Sequence, residues 1–195
     1  MSKKEIILAS KSPRRKEIMS LVGLEFSVQV SDVEEIVPEG CPIEKESEYL
    51  SGLKAEAVFR EHEDAIVIGS DTLVAIDGDV LGKPKTVEGA KAMLRRLSGR
   101  THTVFTGVTV FWKENGETRK DSFTSRTEVT FYELDDGEID RYVATGEPMD
   151  KAGAYGIQGF GARLVKGIEG DYFTVMGLPI AEVLRRIEAI EAGKI

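Results

Sequence analysis

The 195-residue chain carries 34 acidic against 26 basic residues, a formal net charge of −8, with 41% hydrophobic and 31% charged residues. That composition suits a soluble globular domain, and no apolar run approaches the roughly 20 residues a membrane-spanning helix requires. The acidic balance disfavours nucleic-acid binding, whose affinity comes largely from Lys and Arg neutralising phosphates. It does not exclude a small polyanion held by a local basic cluster, with a metal ion adding positive charge. The segment MSKKEIILASKSPRR has only four consecutive apolar residues, too few for a secretory signal, so a cytoplasmic protein is expected. One cysteine, Cys41, allows no internal disulfide, and with only His62 and His102 a zinc site is hard to assemble. Mg²⁺ or Mn²⁺ on carboxylates is the metal chemistry this composition favours.

In chain order, Glu5 to Ala9 reads as a strand, followed by a helix that Ser12 caps and Pro13 opens. Ile18, Leu21 and Val22 supply its apolar face and Gly23 ends it. Phe26 to Val30 predicts a second strand. The segment IEKESEYLSGLKAEAVFREH predicts a helix with Leu50, Leu53, Ala57 and Val58 on the buried stripe and Lys54 at its edge. Next, AIVIGSDTLVAIDGDVLGKP predicts a strand with a polar interruption at Ser70-Asp71-Thr72 and a hairpin at Asp77-Gly78. A helix over Val87 to Leu97 precedes two long strands joined at Asn115-Gly116. A helix near Asp136 to Ala144 leads into the glycine-rich GEPMDKAGAYGIQGFGA, which on its own reads as a bulged or kinked strand. A short strand or two and a helix opened by Pro179 and closed by Gly193 end the chain. With no repeats or linker, the expectation is one continuous α/β domain over residues 1–195.

Four segments could carry chemistry. Arg14 and Arg15 sit in the first turn of a helix, where the helix dipole disfavours cations by about 0.3 to 1 kcal/mol each. A bound phosphate would relieve both, because the guanidinium fork matches phosphate oxygens; a solvated face, with Glu17 as partner, is the alternative. Asp71 interrupts an apolar strand, a position costly for a carboxylate unless it is paired or holds a metal. Glu34 and Glu35 are adjacent, and in extended chain only one can easily join a site with Asp71. Gly153, Gly156, Gly159 and Gly161 allow close backbone approach to a ligand, and Gln158 among them has an amide able to read a base edge.

LASKSPRRKEIM, DVEE, LKAEA, GSDTLV, LGKP, EPMDKAGAYGIQGFGA and GLPI, in this order, resemble the Maf family of nucleoside triphosphate pyrophosphatases, also described as septum-formation inhibitor-like proteins. The resemblance implies a long mixed β-sheet with flanking helices forming two lobes around a cleft, similar to inosine triphosphate pyrophosphatases. It implies hydrolysis of a nucleoside triphosphate to the monophosphate and pyrophosphate with a divalent metal, and a homodimer as a common assembly. DKAGAYGIQG resembles the subgroup acting on dTTP and UTP, with modified pyrimidine triphosphates as further candidates; the sister subgroup acts on 7-methyl-GTP. A non-catalytic nucleotide-binding regulator of septum formation is the alternative from another class.

By position, the family's catalytic aspartate falls on Asp71 and its specificity positions on Arg14, Thr72 and Gln158. Ser10, Arg15, Lys54 and Lys83 match further substrate-binding positions. Glu35 matches the second acidic position and would hold metal with Asp71, though Glu34 is one residue away. Thr174 stands where relatives often carry Asn. Asp71 would be the base that deprotonates the attacking water, or would hold the metal that acidifies it.

Overall fold

The computed structural model describes residues 4–195 and contains one mixed seven-stranded sheet in the order β2-β1-β3-β5-β6-β7, with β4 on β3. The strands are β1 (Ile6–Ala9), β2 (Ser27–Val28), β3 (Ile66–Ile76), β4 (Asp79–Leu81), β5 (Thr101–Glu114), β6 (Glu117–Phe131) and β7 (Val165–Glu169). The helices are α1 (Pro13–Leu21), α2 (Ile43–Phe59), α3 (Val87–Leu97), α4 (Asp136–Val143), α5 (Tyr172–Met176) and α6 (Ile180–Glu191). Among the described residues no helix is long and apolar enough to cross a membrane.

The chain divides into two compact units, to both of which β3, β5 and β6 contribute. The first comprises Met1–Asp71, Thr106–Ser125 and Gly177–Ile195; the second comprises Thr72–Phe105 and Arg126–Met176.

In the first unit, β1 is buried at every position and runs between parallel neighbours β2 and β3, the apolar continuous pattern of a strand covered on both faces. It pairs with β3 from Ile6↔Ile66 to Ala9↔Gly69, so Ser10 and Ser70 follow at one level beyond the paired ends. The second strand is only two residues long, not the five expected, and pairs through Ile7↔Ser27 and Leu8↔Val28. Helix α2 lies so close to the sheet that a Cβ on Gly69 would meet Ser51 O at 2.2 Å, and one on Gly107 would meet Glu48 N at 2.2 Å. Its buried face is therefore Ser47, Ser51, Gly52, Ala55, Val58 and Phe59, small residues at the point of closest approach. Leu50, Leu53 and Ala57, expected there with Val58, are only partly buried. In α1 the buried stripe is Arg15, Ile18 and Met19, whereas Leu21 and Val22 are exposed at and beyond its last turn.

In the second unit, α3 and α4 pack with β3, β4, β5 and β6 residues around Leu94, Leu97, Val104, Phe131, Ile139 and Tyr142. Helix α3 has the predicted bounds and is capped by Thr86, whose hydroxyl accepts from Gly89 N at 3.0 Å. Asp135 and Glu138 form a reciprocal capping box on α4. The glycine-rich stretch is not a strand: it folds as three 3₁₀ turns, Glu147–Asp150, Ala152–Ala154 and Gly159–Leu164. The short helix α5 was not expected; buried Thr174 in it donates Oγ1 to Asp171 Oδ2 at 2.8 Å.

Candidate active site

The first unit gathers six sequence-predicted residues. β1 ends at Ala9, the chain turns through Ser10, and Pro13 starts α1, which places Arg15 on its buried side. Arg15 is 9% exposed, which removes the solvated-face reading for this residue. Its Nε donates to Gly177 O at 2.8 Å and its Nη1 to Ser10 Oγ at 3.0 Å. Gly177 O also accepts from Ser70 Oγ at 2.9 Å, so one carbonyl ties the α1 arginine to the β3 strand. Ser12 makes no side-chain cap, and its N–H instead donates to Ser10 Oγ at 3.2 Å.

Close packing of α2 on Gly69 carries Lys54 to the carboxylate two residues further along β3. Lys54 Nζ lies 2.6 Å from Asp71 Oδ1 and 2.8 Å from Glu35 Oε2. The Lys54 and Asp71 side chains are 15% and 16% exposed, and that of Glu35 50%, so Glu35 is the open side of the triad. Burial lowers the Arg15 pKa; Asp71 and Glu35 oppose that shift, and Arg14 adds to it. Two cations and two carboxylates therefore share one electrostatic neighbourhood around a guanidinium that stays charged. Arg14 itself is half-buried on the same turn.

The remaining predicted residues belong to the second unit. Thr72 follows Asp71 in β3, and its side chain takes the opposite face of the strand. Lys83 is exposed, between buried Pro84 and Gly82, whose carbonyl accepts from Gly153 N at 3.1 Å. The GKP segment and the glycine-rich segment are thus joined by backbone. Gln158 is exposed and extended, at the start of the last 3₁₀ turn. Sequence reasoning missed Ser70 and Gly177, and in the second unit Glu147 and Tyr142; the motifs GSDTLV, GLPI and EPMDKAG contain three of the four.

Glu35 and Asp71, both ion-paired with Lys54, are the residues of the first unit whose chemistry would suit a divalent cation. Glu35 and Asp71 both lie within 2.8 Å of one Nζ, and Mg²⁺ is typically held by one or two carboxylates plus phosphate oxygens. Among the described residues no cluster of three or more His, Cys, Asp or Glu converges, so any such ion would take the rest of its shell from substrate and water.

The sequence is similar over nearly all of its length to curated proteins named dTTP/UTP pyrophosphatase. One from Bacillus pumilus is 50% identical over 184 residues, covering 94% of this chain and 95% of its own. One from Moorella thermoacetica is 52% identical over 179 residues, covering 92% and 91%. Among solved structures, the Staphylococcus aureus Ham1 protein aligns with 66% of this chain and 72% of its own at 17% identity and a TM-score of 0.47, too distant to assign a role from. The profile of the Maf-like proteins matches residues 5–190, and with relatives at this identity the chain belongs to the Maf family.

Proposed function

We propose that this chain is a cytoplasmic nucleoside triphosphate pyrophosphatase that hydrolyses dTTP and UTP to the monophosphate and pyrophosphate. Relatives of that name at about half identity support the reaction. The observation that carries the choice of residues is the Asp71–Lys54–Glu35 triad beside buried Arg15, because it offers an acceptor and cations within one neighbourhood.

In this reading Asp71 accepts the proton of a water whose oxygen attacks the α phosphorus. The new P–O bond forms as the bond from the α phosphorus to the bridging oxygen breaks, and pyrophosphate leaves with the electron pair. Lys54 orients the Asp71 carboxylate through its 2.6 Å contact and brings a positive charge to the phosphates. Arg15, fixed by Ser10 and Gly177, presents a guanidinium whose position is set before substrate arrives, which lowers the reorganisation needed in the transition state. Glu35 and Asp71 would hold a divalent cation, which supplies positive charge to the phosphate oxygens and eases deprotonation of the nucleophile. Arg14, Thr72, Lys83 and Gln158 take substrate-binding roles by their match to the family's positions, Gln158 reading the base.

A panel of UTP, dTTP, CTP, GTP and 7-methyl-GTP, with Mg²⁺ and with chelator, tests the reading by pyrophosphate release. Turnover of UTP and dTTP above the others, lost in chelator, is expected. Preference for 7-methyl-GTP would move the chain to the sister subgroup, and no release from any nucleotide would leave the regulator reading.

A further inference from the structure

An exposed glutamine can discriminate between bases only if the backbone beneath it is held still. Core packing holds the flanks of the segment at Ala154, Tyr155 and Leu164, but residues 156–160 between them are half-buried or exposed, so hydrogen bonds have to supply the order around Gln158 itself. The Glu147 carboxylate lies at their centre. Its Oε2 accepts from Phe160 N at 2.9 Å, and its Oε1 accepts from Gly161 N at 3.1 Å and from the Tyr142 hydroxyl at 2.9 Å. The Tyr142 oxygen in turn accepts from Gly156 N at 3.1 Å. The chain is therefore clamped two residues before Gln158 and two and three residues after it.

The clamp is itself anchored. Glu147 N donates to Thr145 Oγ1 at 3.1 Å, and Glu147 O accepts from Lys151 Nζ at 2.7 Å. Burial raises the Tyr142 pKa above its ordinary value, so the phenol stays protonated and can donate to Glu147 while accepting from Gly156. The glycines make room for this arrangement. A Cβ on Gly159, which has φ +62°, would lie 2.6 Å from Glu147 Oε2, and one on Gly161 would lie 2.1 Å from Gly156 O and 2.8 Å from Tyr142 Oη.

We propose that Glu147, acting with Tyr142, is a positioning residue for base selection: its carboxylate fixes the loop that presents Gln158 and so sets the preference for uracil-type bases. This deepens the reading of Gln158 as the base-selecting residue and rests on it. Nothing about the triphosphate chemistry depends on Glu147, so its loss falls on discrimination rather than on turnover.

The test is kcat and KM for UTP and CTP in the wild type, Glu147→Gln, Tyr142→Phe and Gln158→Ala, with amide hydrogen exchange at Gly156, Phe160 and Gly161. Glutamine keeps the size of Glu147 but its amide nitrogen cannot accept a backbone N–H. Glu147→Gln is expected to speed that exchange and cut the UTP-over-CTP ratio of kcat/KM about tenfold, mainly through KM, with kcat for UTP within about twofold of wild type. Tyr142→Phe, which keeps the Phe160 and Gly161 bonds, is expected to move the ratio the same way by about threefold, and it decides the matter if Glu147→Gln does not fold. Faster exchange with an unchanged ratio, or equal losses for both nucleotides, would overturn the proposal. If Glu147→Gln shifts the ratio and Gln158→Ala does not, the assignment of Gln158 fails instead; a wild type inactive on UTP removes the functional reading beneath both.

Discussion

The two units solve the problem of holding polar groups in place by opposite means. In the first, Ser10, Arg15, Glu35, Lys54, Ser70, Asp71 and Gly177 come from distant parts of the chain: β1 pairing with β3 and the Gly177 carbonyl gather the serines and Arg15, and α2 pressed against β3 brings Lys54 to the carboxylates. In the second, Tyr142, Glu147, Gly156, Phe160 and Gly161 lie within twenty residues, and one carboxylate gathers backbone amides around itself. The first arrangement concentrates charge of both signs, suited to phosphates and a cation; the second uses up its single charge on N–H and O–H donors, suited to holding a loop. Bond breaking and base choice should therefore be separable by mutation.

Asp71→Asn should have the largest effect. It keeps the shape of the side chain and leaves Lys54 its ion pair with Glu35, so the protein should fold. Loss of the proton acceptor should lower kcat for UTP by about 10²- to 10⁴-fold. Because this change lies in the first unit, the ratio between nucleotides should hardly move, the reverse of what Glu147→Gln does. Steady-state pyrophosphate release from UTP and CTP reads both quantities, and an altered ratio in Asp71→Asn would break the separation.

A smaller effect than that of Asp71→Asn concerns acid. His102 is 2% exposed, accepts or donates through Nε2 to the Tyr155 hydroxyl at 2.7 Å, and lies edge-on to Phe131 and Tyr155. Burial lowers its pKa to about 4. The unfolded chain, with a pKa near 6.5, binds the proton first, so stability is full above about pH 6.5 and falls as pH drops toward 4. By pH 4.5 this single group should cost roughly 2 to 3 kcal/mol of unfolding free energy. Urea titrations at pH 7 and 4.5 should show that loss in the wild type and a smaller one in His102→Gln; equal losses would mean that His102 does not report acid in the second unit.

How much of this was legible in the sequence depends on whether the cause is local. Pro13, Asp77-Gly78 and Asn115-Gly116 mark their own structures: the α1 start and both hairpins lie where expected, with Asp77 and Asn115 at φ 55° and 52°. The burial stripe of α2 departs from its apolar periodicity, which points to Leu50 and Leu53, because two sheet glycines pull small residues to the contact. The glycine-rich segment forms 3₁₀ turns where a strand is expected, because neither period 2 nor period 3.6 describes a chain wrapped around a carboxylate. Nothing in GEPMDKAG tells a reader that Glu147 accepts from amides 13 and 14 residues later. The polar residues gathered in the first unit became visible as a set through the family's ordered motifs, since no spacing rule joins Ser10 to Asp71.

The most direct test of the central claim is turnover of UTP in H₂¹⁸O, with mass analysis of both products. Attack of water on the α phosphorus, as proposed for the neighbourhood of Asp71, predicts one ¹⁸O in UMP and none in pyrophosphate. Label in pyrophosphate, or release of orthophosphate in place of pyrophosphate, would contradict it.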